Sequence, residues 1–208
     1  MDAPDLPFRL PLIAILRGIT PGEAPAHAAA LVEEGYDAIE IPTNSPDWTA
    51  SVAACVREHG ARASIGAGTV LTQAHVDALV RAGGSLMVTP NTRPALIRHA
   101  VERGLRVAAG FATASEAFDA LDAGAQMLKL FPASVHGPAL ARALRDVLPP
   151  VPLFAVGGVT PENLPDYLSA GCQGAGIGGE LYRPGQAVER TRERARRFRQ
   201  AYLGHVAS

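Results

Sequence analysis

Lys129 is the only lysine among 208 residues, although eighteen arginines accompany it. It stands in the apolar run "QMLKLF", where burial disfavours an ammonium ion and lowers the amine pKa. A neutral amine can attack a ketone and form a Schiff base, which a guanidinium cannot do. The iminium is then an electron sink for the enamine left when the adjacent carbon–carbon bond breaks. Such chemistry needs a second group to carry protons to and from a hydroxyl. Glu40, in "DAIEIP", is the carboxylate suited to that task, and its charge would partly oppose the lowering of the lysine pKa. Structural alternatives exist for both: a buried lysine stem with its head reaching out, and a carboxylate that only neutralises Lys129 or Arg17.

A second constellation suits an anion. "AVGGVTPEN" holds Gly157 and Gly158, and "GAGIGGELY" holds Gly178 and Gly179. Glycine pairs let backbone N–H groups approach a phosphate closely. Arg17, in "ILRG", is free to take a carboxylate by charge-assisted hydrogen bonds. The expected ligand is a small phosphorylated keto acid, with its phosphate at one end and its carbonyl near Lys129.

The elements that must position these groups are marked by glycines. "LVEEG", "VREHG", "LVRAG", "AVERG", "ALDAG" and "YLSAG" place Gly35, Gly60, Gly83, Gly104, Gly124 and Gly171 where helices should end in a left-handed residue. A short apolar run follows each one. With "LPLIAILRG" and "VPLFAVGG" there are eight strand candidates. They are apolar throughout, as strands covered on both faces are. Thr20-Pro21-Gly22-Glu23 and Thr113 with Glu116 read as helix starts, as do Ser45-Pro46 and Thr160-Pro161. Eight strand–helix units of about 25 residues predict one α/β domain, a single (β/α)8 TIM barrel over residues 1–208. An open doubly wound sheet is the alternative, disfavoured because no long insertion breaks the rhythm.

A barrel places its chemistry at the C-terminal strand ends. That rule selects Arg17 on strand one, Glu40 on strand two, Thr69 on strand three and Pro90 after strand four. Lys129 and Phe131 follow on strand six, then Val156, Gly157 and Gly158 on strand seven, and Gly178 and Gly179 on strand eight. Strands two and six face each other, so Lys129 and Glu40 can converge on one ligand.

Composition excludes other classes. A formal net charge of −1 with 19% charged residues encodes no pull toward nucleic acid or membrane. No apolar stretch approaches the roughly 20 residues of a membrane span. The N-terminus opens with acidic residues, unlike a signal peptide. Cys55 and Cys172 lack metal-ligand spacing and read as reduced thiols of a cytoplasmic protein. His27, His59, His75, His99, His136 and His205 show no paired ligand spacing either, so neither metal nor other cofactor is expected. The arginine-rich "ERTRERARRFRQ" alternates with acids and reads as the solvated face of the last helix.

"PLIAILRGITP", "DAIEIPTNSP", "IGAGTVL", "VTPN", "LKLFPAS" and "FAVGGVTPENL" together resemble the 2-dehydro-3-deoxy-phosphogluconate/phosphogalactonate aldolases, class I barrel lyases, over about residues 7–203. The resemblance implies Lys129 as the Schiff-base lysine and Glu40 as proton shuttle. It puts Arg17 and Thr69 at the substrate carboxylate and the glycine loops at the phosphate. It also implies reversible cleavage to pyruvate and D-glyceraldehyde 3-phosphate, no metal, and a homotrimer. Asn44 and Val156 favour the galactonate over the C4-epimeric gluconate branch. Gly179-Glu180 departs from the family, which often has a serine there, and sets a carboxylate near the phosphate. A phosphosugar isomerase or epimerase, and a binding barrel without turnover, are the rival readings.

Overall fold

The computed structural model describes residues 6–207. Its elements run β1 (Leu12–Ile15), α1 (Ala24–Glu33), β2 (Ala38–Pro42), α2 (Trp48–His59), β3 (Ser64–Gly68), α3 (Gln73–Arg81), β4 (Leu86–Val88) and α4 (Pro94–Glu102). They continue β5 (Arg106–Phe111), α5 (Ala114–Asp122), β6 (Met127–Leu130), α6 (Ala133–Arg145), β7 (Leu153–Val156), α7 (Leu164–Ser169), β8 (Gly174–Ile177) and α8 (Val188–Val206). The strands pair in chain order and β8 closes on β1, all in parallel. This is the (β/α)8 barrel expected from the glycine rhythm, and the open sheet is excluded.

Alternation along each strand sorts the side chains into two cores. Leu12, Ala14, Ile39, Ile41, Ile65, Leu128, Leu130 and Ala155 face outward into the layer shared with the helices. Ile13, Ile15, Ala38, Leu86, Val88, Ala108, Met127, Phe154 and Val156 fill the barrel, where Phe8 meets Phe154 edge-on at 6.2 Å. Glu40 and Lys129 share the inward register of Ala38 and Met127, so their burial follows from strand geometry. Gly110 is the β5 partner of Lys129 and Gly66 is the β3 partner of Glu40, but the space for the Glu40 carboxylate is left by Gly68 on β3.

Gly35, Gly83, Gly104, Gly124 and Gly171 have the left-handed φ expected of helix ends, from 78° to 96°. Gly60 does not: its φ is −59°. There the chain keeps winding, with the N–H groups of Arg62 and Ala63 both donating to the His59 carbonyl. Thr113 and Glu116 form the full capping box. At Thr20 only half exists, Glu23 accepting from the Thr20 N–H and hydroxyl, and α1 starts at Ala24. Ser45-Pro46 caps nothing. Helix α2 begins behind Asp47, while the Ser45 hydroxyl accepts from the Gly18 N–H at 2.8 Å and ties two loops together. Thr160-Pro161 likewise forms a turn before α7, which begins at Leu164 behind Asn163.

The arginine-rich helix α8 is a solvated face. Arg192 pairs with Glu33, Arg196 with Glu34 and Arg197 with Glu162. The exposed pairs, Arg192–Glu33 and Arg197–Glu162, each contribute about 0–1 kcal/mol. No helix among the described residues is long and apolar enough to cross a membrane.

Candidate active site

A cavity of about 520 Å³ opens at the C-terminal ends of the strands, a size that suits a small metabolite. Arg17, Thr69, Pro90, Lys129, Phe131, Val156, Gly157, Gly158, Gly178 and Gly179 all line it. A wider depression of about 780 Å³ lies at the opposite end, among residues that precede or open the strands, such as Asp37, Ser64, Ser85 and Arg106. That face of a barrel supports stability rather than chemistry, and it holds no buried amine.

Lys129 projects inward from β6 with its amine 4.8 Å from the centre of the Phe131 ring, and only 6% of the residue is exposed. Burial lowers its pKa to about 8, with Glu40 opposing and the Arg17 charge adding to the fall. Glu40 is more deeply placed, 1% exposed, and does not form part of the cavity wall. Burial raises its pKa to about 7, against the charges of Lys129 and Arg17 and the Gly68 N–H. Its Oε2 has no hydrogen-bond partner. A buried carboxylate oxygen left unpaired is costly unless a substrate or water completes it. An amine and a carboxylic acid that titrate near neutrality on opposite strands can exchange protons with one small molecule between them.

Arg17 is anchored at the rim. One guanidinium nitrogen donates to Asn44 Oδ1 at 2.6 Å, another to Thr69 Oγ1 at 3.3 Å. Thr69 holds a left-handed φ of 57°, rare for a β-branched residue. The Thr43 hydroxyl donates to the Thr69 carbonyl at 2.7 Å and fixes that bend. Asn44 reads in the sequence only as a branch marker. Its bond to Arg17 exists because the loops after β1 and β2 are neighbours, which spacing along the chain does not reveal.

Gly157 and Gly158 both have positive φ, 98° and 76°. Ser134 donates its N–H to the Gly157 carbonyl, and a Cβ on Gly158 would press on the Ser134 side chain. Ile15, Val159 and Gly176 also line the cavity and escaped the sequence reading, because apolar and small wall residues carry no chemical signature, while Glu180, expected near the phosphate end, lines it too. Glu180 is paired at its rim with Arg183 at 3.5 Å. Among the described residues no group of three or more His, Cys, Asp or Glu is placed to hold a metal ion.

A closed barrel with a buried amine, a buried carboxylate and a glycine-lined mouth suits a carbon–carbon lyase of the aldolase class. Comparison with known proteins agrees. The KDPG and KHG aldolase family model matches residues 8–194, and the chain belongs to that family. It is 57% identical over 195 residues to the 2-dehydro-3-deoxy-6-phosphogalactonate aldolase of Escherichia coli K12, covering 93% of this chain and 95% of that one. Identity to the 2-dehydro-3-deoxy-phosphogluconate aldolase of Pseudomonas aeruginosa is 36% over 143 residues, 68% of this chain and 64% of that one. The solved structure described as native KDPGal superposes with a TM-score of 0.95 at 56% identity, covering 96% of this chain and 98% of that one.

Proposed function

We propose that this protein reversibly cleaves 2-dehydro-3-deoxy-6-phosphogalactonate to pyruvate and D-glyceraldehyde 3-phosphate through a Schiff base on Lys129. The neutral amine attacks the C2 ketone, and loss of water gives an iminium. Glu40 takes the proton of the C4 hydroxyl, directly or through one water. The C3–C4 bond then breaks, its electrons pass into the iminium, and the aldehyde leaves. Glu40 returns the proton to C3 of the enamine, and water releases pyruvate. Arg17, held by Asn44 and Thr69, takes the substrate carboxylate. Gly157, Gly158, Gly178 and Gly179 face the phosphate, while Pro90, Phe131 and Val156 line the path between.

The observation that carries this reading is the inward pair: a buried amine lowered to about 8 beside a carboxyl raised to about 7 with Oε2 unpartnered. Asn44 and Val156, with the higher identity to the galactonate enzyme, support the galactonate-derived epimer. The gluconate-derived epimer is the second reading, because both present the same atoms to Lys129. A homotrimer, implied by the family, and a cytoplasmic location, consistent with the two buried free thiols of Cys55 and Cys172, belong to the same proposal.

Borohydride reduction with pyruvate, followed by peptide mass mapping, tests it. Lys129 is the only lysine, so the N-terminus is the only competing primary amine. A stable adduct on the Lys129 peptide is expected, with Lys129→Arg folded but inactive. Folded protein with no adduct would remove the Schiff-base mechanism.

A further inference from the structure

The phosphate end of the cavity ends in a tight turn after β8. The Gly178 carbonyl accepts from the N–H groups of both Leu181 and Tyr182, at 2.8 and 2.9 Å. Gly179 and Glu180 sit at the corner of that turn and line the cavity. Their own N–H groups donate to no acceptor among the described residues. On the side away from the cavity, two guanidinium groups meet on one oxygen. Arg183 Nε donates to the Gly179 carbonyl at 3.1 Å, and Arg194, half-buried on α8, donates to it at 3.2 Å. Neither arginine lines the cavity.

A trans peptide points its N–H opposite to its carbonyl. With the Gly179 carbonyl held outward, the Glu180 N–H is turned inward. Arg183 also pairs with the Glu180 carboxylate, the group that would otherwise repel a phosphate. We infer that Arg183 and Arg194 are positioning residues for the phosphate end: both hold the Gly179–Glu180 peptide with its N–H toward the substrate phosphate, and Arg183 also offsets the Glu180 charge. The inference rests on the aldolase reading above and adds to it how that end tolerates a carboxylate.

The test compares the phosphorylated substrate with its dephosphorylated analogue in the wild type, Arg194→Met and Arg183→Met. Methionine keeps an aliphatic stem and removes the donor. KM for the phosphorylated substrate should rise roughly tenfold, the scale of a charged hydrogen bond. KM for the analogue and kcat for either substrate should stay unchanged. Inorganic phosphate should weaken as a competitive inhibitor by the same factor, and Arg194→Lys should restore part of the loss. Glu180→Gln, which removes a carboxylate charge from the cavity rim, should tighten inorganic phosphate a few-fold. Unchanged KM in both methionine variants, or an equal rise for both substrates, overturns the proposal. So does weaker phosphate binding by Glu180→Gln, which decides the matter if the methionine variants do not fold. Should the wild type neither cleave nor trap pyruvate, the aldolase reading fails on its own. Calorimetry of inorganic phosphate with wild type and Arg194→Met then judges the turn separately.

Discussion

Glu40 occupies the space that a side chain at position 68 would need: a Cβ on Gly68 would overlap both oxygens of the Glu40 carboxylate. The two residues lie on adjacent strands, and the carboxylate rests against bare backbone. Gly68 therefore belongs to the machinery without possessing a functional group.

Gly68→Ala should push the carboxylate out of place. Turnover should fall by roughly a hundredfold or more, the cost of misplacing a proton-transfer group. Pyruvate trapping on Lys129 should persist, because the amine is untouched. Measuring kcat and trapping on the same preparation separates the two, and parental turnover would show that Glu40 tolerates the displacement.

Glu40→Gln bears on the lysine as well as on proton transfer. The Glu40 charge holds the Lys129 pKa up against burial, so removing it lets that pKa fall below about 8. Imine formation needs the neutral amine and rises with pH through the lysine pKa. The pH midpoint of borohydride trapping should therefore move downward in this variant. A midpoint that stays put or rises would mean that the two groups are not coupled.

Lys129→Met should abolish cleavage and stabilise the fold. The amine's pKa in the folded protein, about 8, lies below its ordinary 10.5, so the folded state resists holding that proton. The cost is fully present below about pH 8 and fades as pH rises toward 10.5. Methionine removes it, worth on the order of a few kcal/mol at pH 7. Tm should rise by several degrees at pH 7 and by much less near pH 10.5. A loss of Tm at pH 7 would count against a strained buried amine.

Asn44→Ala releases one side of Arg17, whose guanidinium would then be held by Thr69 alone among the contacts described at the rim. The hydrogen bond is exposed, so its worth is modest. KM for pyruvate in the condensation direction should rise roughly three- to tenfold with kcat nearly unchanged. Steady-state kinetics at fixed aldehyde concentration will show it, and an unchanged KM would remove Arg17 from the carboxylate end.

Much of this protein is legible along the chain. Gly35, Gly83, Gly104, Gly124 and Gly171 each mark a helix end because glycine alone takes a left-handed φ without steric cost. The apolar runs between them are readable as strands for an equally local reason, since both faces must be covered. Lys129 stands out as the lone lysine, and its place at a strand's C-terminal end follows from counting units. Such features depend on a few consecutive residues.

What tertiary structure decided lies between residues far apart in sequence. Gly60 looked like the other helix ends, but its φ follows the winding of the chain beyond it. Ser45 looked like a cap and instead ties the β2 loop to Gly18. The bond from Asn44 to Arg17, the fit of Glu40 against Gly68 and the grip of Arg194 on the Gly179 carbonyl depend on barrel closure and strand register. Closure and register arise only when eight strands twist and stack their inward side chains together, a cooperative result that no local pattern contains.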